Sequence, residues 1–199
     1  LLLHNIASSG IRGWGFDYPG NGESTGSTED CSIQNAVEAA GSFISEHNIS
    51  NESRLVGIRS GCFPCSRIFS NFGSALFLVQ PFTDGKRYLR ELALKEKIRG
   101  SFTGGKRDNG YLLNGQPLSE RFIDELQKAD ITDFEQPART TLFQITSAKD
   151  ILPEYRKIAD RIDLRKIRAD QFWNPHESPQ YEDIIEFLHE VIVKEKLNG

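Results

Sequence analysis

The 199-residue sequence predicts an α/β protein, specifically a three-layer αβα sandwich built on a mostly parallel sheet. Two observations support this prediction. Strand-like and helix-like stretches alternate along most of the chain, which is the order that places helices on both faces of a parallel sheet. The chain is also 38% hydrophobic and 26% charged, an ordinary balance for a globular domain whose length allows one sizeable core.

Two strands are expected at the start of the chain. The apolar run 1–3, followed by His4, predicts a short buried strand, and residues 11–16 predict a second one. Too few residues separate them for a parallel crossover, which needs a dozen or more. The sequence also starts without methionine and contains none. We therefore expect residues of the natural protein to be missing between these strands and near Gly104, with a hairpin between the strands as the alternative.

The middle and the end of the chain supply the remaining elements. Residues 17–32, rich in Gly, Ser, Thr and Pro, are expected to form a loop that ends at a helix cap, either Asp30 or Ser32. Apolar spacing predicts helices from residue 33 and from Ser119, and over 61–72, 88–98, 154–162 and 181–196. Short apolar runs predict strands at 54–58, 75–79, 140–145 and 164–169.

Residues 86–137 interrupt this alternation with helices and no convincing strand. We expect them to form a helical cap, inserted into a core made of residues 1–85 and 138–199.

Charge and cysteine content exclude several classes of protein. Because 24 basic and 28 acidic residues give a net charge of −4, no basic face is expected for nucleic acid or an anionic membrane. No apolar run approaches the roughly 18 residues of a membrane span. The three cysteines cannot form a fully paired disulfide framework, so we expect a cytoplasmic protein. The sequence predicts no particular oligomeric state.

A glycine-rich segment follows the second predicted strand. Residues 15–24 read Gly-Phe-Asp-Tyr-Pro-Gly-Asn-Gly-Glu-Ser, in which Pro19 fixes φ while Gly20 and Gly22 allow positive φ. The chain is therefore expected to turn sharply at the carboxyl edge of the sheet. A phosphate-binding loop is an alternative, but the spacing fits neither the dinucleotide fingerprint nor the P-loop.

This segment resembles the loop after the fourth strand of α/β-hydrolases, and the resemblance continues along the chain. Residues 1–4, Leu-Leu-Leu-His, resemble the strand before the oxyanion loop, and residues 55–61 lie where the nucleophile-bearing turn belongs. The turn Gly-Ile-Arg-Ser-Gly, with residues 80–85, 88–91, 114–115 and 117–119, is similar to hydrolases found beside exosortase systems. The resemblance implies the α/β-hydrolase fold and hydrolysis of an ester, thioester or related acyl bond in a small molecule, without cofactor or metal.

The turn departs from the superfamily pattern at its centre. A nucleophile is expected in the middle of G-x-S-x-G, but Gly57 and Gly61 flank Arg59. A guanidinium stays protonated and cannot attack, so the neighbouring Ser60 is the candidate nucleophile, or else its N–H serves as an oxyanion donor. Arg59 either pairs with a nearby carboxylate or binds a carboxylate or phosphate of a ligand.

The remaining catalytic positions follow from the superfamily order of nucleophile, acid and histidine. Asp150 lies after the predicted strand 140–145 and is the candidate acid, with Asp84 as an alternative. His176 follows the last strand and is the candidate base, which takes a proton from Ser60 or a water while Asp150 orients it. Asp150 could otherwise cap a helix, and His176 could be an exposed loop residue.

Two other functions stay open at this point. The chain could be a catalytically inactive α/β-hydrolase-fold protein that binds an anionic ligand through Arg59. The motif Cys62-Phe63-Pro64-Cys65 is typical of thiol–disulfide redox proteins, although its place in the chain fits a hydrolase better, and the two cysteines could simply pack behind the turn. No second Cys or His pair completes a zinc site.

Overall fold

The computed structural model describes residues 2–15, 17–103, 111–113, 116–169 and 181–194. The helices, in chain order, are α1 (Leu2–Ser8), α2 (Ile33–Glu46), α3 (Cys62–Phe69), α4 (Gly85–Thr103), α5 (Glu120–Lys128), α6 (Pro153–Arg156) and α7 (Tyr181–Lys194). The strands are β1 (Arg54–Ile58), β2 (Ala75–Val79), β3 (Leu112–Leu113), β4 (Gln116–Pro117), β5 (Thr140–Ile145) and β6 (Asp163–Ile167).

Four of these strands form one parallel sheet in the order β1-β2-β5-β6. The register places Leu55 beside Leu76 and Leu78 beside Leu142. β6 continues the sheet beyond β5, with all pairs parallel. Parallel strands require their connections to cross a face of the sheet, and helices supply these crossings. The predicted α/β architecture is confirmed.

Helices cover both faces of the sheet because each strand sends alternate side chains to opposite sides. Leu76 and Leu78 lie in one apolar cluster with residues of α2, α3, α4 and α5. Phe77 and Val79, which alternate with them, lie in a second cluster with residues of α1 and α7. Burial on both faces explains why β2 and β5 are buried at every position.

The start of the chain differs from its prediction. Residues 2–8 form helix α1 instead of a strand, and residues 11–15 have no regular structure. Leu2 and Ile6, four residues apart on one face of the helix, pack into the cluster that contains α7, whereas Leu3 is 46% exposed. Leu2 and Leu3 therefore point to different sides of a helix, which a run of identical apolar residues in the sequence does not reveal.

The later elements match their predictions with local differences. Ser32, not Asp30, caps α2, since its side chain accepts a hydrogen bond from the N–H of Asn35. The helix predicted over 154–162 ends early, at Arg156. Beyond it the chain continues in turns, with i-to-i+3 bonds from the N–H groups of Ile158 and Arg161.

The segment 86–137 contains most of α4, all of α5 and a small antiparallel pair, β3 with β4, that the sequence did not predict. Its Leu89, Leu126 and Ile131 pack into the same apolar cluster as the sheet. Glu125 of α5 also accepts hydrogen bonds from the first N–H groups of α2, at 2.6 Å from the nitrogen of Ile33. A carboxylate at a helix N-terminus stabilises that helix. The assignment of this segment as a cap stays a prediction.

Candidate active site

The turn between β1 and α3 lies at the carboxyl edge of the sheet and has Arg59 at its tip. Arg59 has a φ of 54°, a left-handed conformation that costs a non-glycine residue about 1–3 kcal/mol. Gly57 permits the turn, because a Cβ there would lie 2.8 Å from the Cα of Cys62. The spacing of the two glycines predicted this tip, and Ser60 is the residue after it.

The guanidinium of Arg59 is enclosed by residues of β2 and α4. Its Nη2 lies 3.0 Å and 2.8 Å from the two carboxylate oxygens of Glu91. Its Nη1 donates to the carbonyl oxygen of Gln80 at 3.4 Å. The ring of Phe82 stacks below it, with the central guanidinium carbon 4.1 Å from the ring centroid. Arg59 thus points along the carboxyl edge and already holds a carboxylate.

Glu91 links the turn to a second cation. Lys95, one helical turn further along α4, lies 2.8 Å from the Oε1 of Glu91. Burial raises the pKa of Glu91, but the hydrogen bond from Lys95 and the charge of Arg59 outweigh burial and leave the pKa lowered. The carboxylate is therefore held ionised between two positive groups, with its side chain still 31% exposed.

Ser60 also contacts α4. Its hydroxyl is hydrogen-bonded to the phenol of Tyr88, a side chain buried in the main apolar cluster. Burial raises the pKa of Tyr88, so the phenol keeps its proton in this place. Tyr88 and Glu91 are three residues apart and share one face of α4. That face therefore contacts two adjacent residues of the turn, Ser60 and Arg59.

Gln80 fastens the end of β2 to β5. It has a φ of 45°, its N–H donates to the carbonyl of Phe143 at 2.8 Å, and its Oε1 accepts from the N–H of Ile145 at 2.6 Å. Its own carbonyl accepts from Arg59. Gln80 is thus a physical connection between the turn after β1 and the end of β5.

The loop after β5 carries Asp150. Gln144, fully buried in β5, donates to the carbonyl of Asp150 at 3.1 Å and accepts from the N–H of Leu152 at 2.9 Å. The Asp150 residue itself is exposed. β2 lies between β1 and β5, and neighbouring strands are 4.7–4.9 Å apart, so the ends of β1 and β5 are separated by roughly 10 Å. A third side chain is needed to connect Asp150 with Ser60.

That third residue is predicted to be His176, which lies outside the described residues. His47 and His189 lie elsewhere. His47 ends α2, and the Nε2 of His189 is 2.8 Å from the hydroxyl of Ser9, on the α1 and α7 side of the sheet. Asp84, the alternative acid, accepts a hydrogen bond from the N–H of Arg87 at 2.9 Å and caps the start of α4.

The glycine-rich loop 17–32 packs against the same turn. Gly20 and Gly22 have φ values of 77° and 54°, which confirms the positive φ predicted for them. The hydroxyl of Tyr18 lies 3.7 Å from the position that a Cβ on Gly61 would take. Burial, followed by the nearby Cys65 and Cys62, raises the pKa of Tyr18. The loop thus contacts the turn through Tyr18.

The thiols of Cys62 and Cys65 are both free and sit behind the turn. Burial raises the pKa of Cys62 well above its usual value and that of Cys65 to about 12. A redox-active thiol needs the opposite shift, because the thiolate is the reacting form. The environment therefore opposes the redox hypothesis and agrees with two small apolar side chains packed under the turn.

Within the described ranges, no group of three or more His, Cys, Asp and Glu side chains is placed to hold a metal ion. None of the helices in that part of the chain is long and apolar enough to cross a membrane.

A cavity of about 190 Å³ opens at the amino edge of the sheet, beside Leu76 and Thr140 at the starts of β2 and β5. Of the predicted site residues that the structure describes, none lines this cavity, which lies at the edge opposite Arg59.

Sequence reasoning gave no role to the partners of the turn, namely Tyr88, Glu91 and Gln80, or to Gln144, which holds the Asp150 loop. Two of them left a signal in the sequence. Tyr88 and Glu91 are polar or charged positions on the face of an amphipathic helix that also carries Leu89 and Leu92 toward the core. A charged residue on a partly buried helix face needs a partner, and a carboxylate was one of the two partners that the sequence offered for Arg59.

The sequence matches no family model and no curated protein. Solved structures do resemble it. The monoacylglycerol lipase of Paleococcus ferrophilus superposes with a TM-score of 0.62 at 17% identity, covering 97% of this chain and 87% of the lipase. The fold is that of the α/β-hydrolases. An esterase of Exiguobacterium antarcticum has a TM-score of 0.60 at 16% identity, with 96% and 85% of the two chains covered.

A mammalian α/β-hydrolase shows the same likeness. Mouse alpha/beta hydrolase domain-containing protein 10 has a TM-score of 0.59 at 19% identity, covering 96% of this chain and 81% of the mouse protein. In the α/β-hydrolase fold, ligands bind outside the carboxyl ends of the parallel strands. The turn at Arg59, the end of β2 and the loop of Asp150 all lie at that edge.

Proposed function

We propose that the protein is a hydrolase that cleaves an ester, thioester or related acyl bond of a small molecule. The observation that supports this most is the convergence, at one edge of an α/β-hydrolase sheet, of a strained turn after β1 and an Asp150-bearing loop after β5. Strained backbone is retained mainly at functional sites. The strained turn at Arg59 is also packed against α4 and against the loop 17–32.

In this proposal Ser60 or a water attacks the acyl carbon. His176 takes the proton of the attacking hydroxyl and returns it to the leaving alcohol or thiol, while Asp150 orients the imidazole. The net reaction adds one water across the acyl bond and gives a carboxylic acid and an alcohol or thiol. Ser60 follows Arg59, the residue at the tip of the turn, and its hydroxyl is hydrogen-bonded to Tyr88. We therefore favour water over Ser60 as the attacking group.

Three finer features belong to the same proposal. Residues 86–137 act as the cap that selects the substrate, since α4 of this segment contacts the turn through Tyr88 and Glu91. The cytoplasm is the proposed location, in agreement with three free cysteines. The likeness of the Gly-Ile-Arg-Ser-Gly turn to hydrolases beside exosortase systems suggests a similar setting.

Turnover of p-nitrophenyl butyrate by the wild type and by His176→Ala tests the hydrolase. We expect the substitution to abolish turnover, because no other group takes the proton. His47→Ala, which removes a histidine at the end of α2, is the matched control and should keep full activity. Comparison of Ser60→Ala with the wild type then separates the two attacking groups, since attack by water survives this change. Unchanged activity in His176→Ala contradicts the proposal.

A second candidate is an inactive α/β-hydrolase-fold protein that binds an anionic ligand through Arg59. The contact between Arg59 and the Glu91 carboxylate favours it, because it shows that the guanidinium can hold an anion in this place. Absence of ester turnover in the wild type, together with anion binding that is lost in Arg59→Gln, supports this candidate over the first.

A further inference from the structure

A positive cluster lies at the carboxyl edge of an otherwise acidic protein. Arg59 and Lys95 contribute two positive charges, and Glu91 contributes one negative charge between them. These three described side chains sum to +1, whereas the whole chain has a net charge of −4. Such a cluster attracts anions more strongly than the rest of the surface does.

The cluster has a shape as well as a charge. The guanidinium plane is stacked on Phe82 and hydrogen-bonded to the carbonyl of Gln80, so its orientation is fixed before any ligand arrives. Its Nη2 faces both oxygens of the Glu91 carboxylate. Arginine on a rigid support is well suited to a planar carboxylate, whereas lysine adds a point charge.

Glu91 is the part of the cluster that can leave. Its side chain is 31% exposed, and that of Lys95, one helical turn further along α4, is 60% exposed. Arg59, at 18% exposure, is anchored beneath them. An ion pair with this much solvent access is worth only about 1 kcal/mol or less, so a ligand carboxylate can replace it at small cost.

We propose that Arg59 and Lys95 form a subsite for a carboxylate of the substrate, which the Glu91 side chain fills in the free protein. The acyl compound cleaved next to Ser60 then carries a free carboxylate, as the half-ester of a dicarboxylic acid does. Binding of the carboxylate moves Glu91 away from Arg59. The catalytic consequence rests on the proposed hydrolase function, but the binding of a carboxylate does not.

Calorimetric titration with glutarate at low ionic strength tests the subsite. Glu91→Gln removes the internal competitor, and its Kd for glutarate should fall at least threefold relative to the wild type. Lys95→Gln should raise the Kd. Asp124→Asn is the matched control, because it also removes one negative charge from an i,i+4 pair with lysine, but on α5. Equal Kd values in Glu91→Gln and the wild type, or an equal fall in Asp124→Asn, overturn the inference.

Turnover of monomethyl glutarate and methyl pentanoate separates the inference from the hydrolase proposal. A preference for the charged ester of at least tenfold in kcat/KM supports both, provided that Lys95→Gln reduces it. Turnover of both esters at equal rates, with glutarate affinity unaffected by Glu91→Gln, overturns the subsite and leaves the hydrolase. Turnover of neither ester, with the predicted changes in glutarate affinity, overturns the hydrolase and leaves the subsite.

Discussion

The turn after β1 and the loop after β5 reach the same edge of the sheet, but different contacts hold them. The turn is fixed by packing: a left-handed Arg59, a glycine pressed against Cys62 and a helix face that contacts both Arg59 and Ser60. The loop is fixed by one buried side chain, Gln144, and leaves Asp150 exposed. The position that departs from the superfamily pattern is thus held by more contacts than the position that follows it.

This difference indicates that Arg59 is a structurally integrated part of the turn. A residue that merely replaced a lost nucleophile would need neither a stacked ring nor a carboxylate partner. The contacts of Gln144 hold only the backbone of the loop, and the Asp150 side chain is exposed at the sheet edge. Stability variants should therefore affect the two regions to different extents.

The largest effect is expected at Gly57. Gly57→Ala places a Cβ 2.8 Å from the Cα of Cys62 and 3.1 Å from the Cβ of Cys65, so the strand and α3 must separate. We expect a loss of about 3 kcal/mol in the free energy of unfolding, measured by urea denaturation. A loss below about 1 kcal/mol would show that the turn relaxes easily and would remove the contrast with the loop.

Gly41→Ala is the matched control for this change. Gly41 lies inside α2, and a Cβ added there meets no heavy atom within 4 Å. The same chemical change should therefore stabilise the protein by about 0.5–1 kcal/mol, because alanine favours a helix interior.

The next largest effect is expected at Gln144. Gln144→Leu keeps the buried volume but leaves the carbonyl of Asp150 and the N–H of Leu152 without their partner. We expect the free energy of unfolding, measured by urea denaturation, to fall by about 2 kcal/mol. Asp150→Ala, in the same loop, should change stability by less than about 0.5 kcal/mol because its side chain is exposed. Equal losses in the two variants would mean that the Asp150 side chain itself holds the loop.

The sequence predicted these two regions unevenly, for physical reasons. Strands 54–58, 75–79 and 140–145 were located to the residue, because short apolar runs are the signal of a buried parallel strand. The glycine spacing also pointed to Arg59, not Ser60, as the tip of the turn. Glycine is needed where backbones approach closely, and this need is local enough to read in a sequence.

The partners of the turn could not be predicted in the same way. Glu91 lies 32 positions beyond Arg59, and their contact depends on how α4 packs over the end of β2. The strand predicted at the start of the chain was wrong for a related reason. A run of identical leucines has no periodicity of its own, and Ile6, which packs beside α7, belongs to a helix that covers residues 2–8.

The smallest effect is expected for Glu91, and it depends on pH. The pKa of Glu91 in the folded protein is lowered, so it lies below the value of about 4.3 in the unfolded chain. The ionised carboxylate therefore stabilises the fold above about pH 5, and this contribution is lost as the pH falls through the folded pKa. Urea denaturation of Glu91→Gln should show a loss of about 1 kcal/mol or less at pH 7 and a smaller loss at pH 3.5.

The control for this pH dependence is Asp124→Asn. In the ion pair of Asp124 with Lys128, both side chains are largely exposed. Its effect should be smaller than that of Glu91→Gln at pH 7, since solvent screens an exposed pair. A Glu91→Gln effect that grows as the pH falls would mean that the protonated carboxyl, not the carboxylate, is the form that the turn stabilises. Arg59 would then not be the group that holds it, because a guanidinium favours the ionised form at every pH in this range.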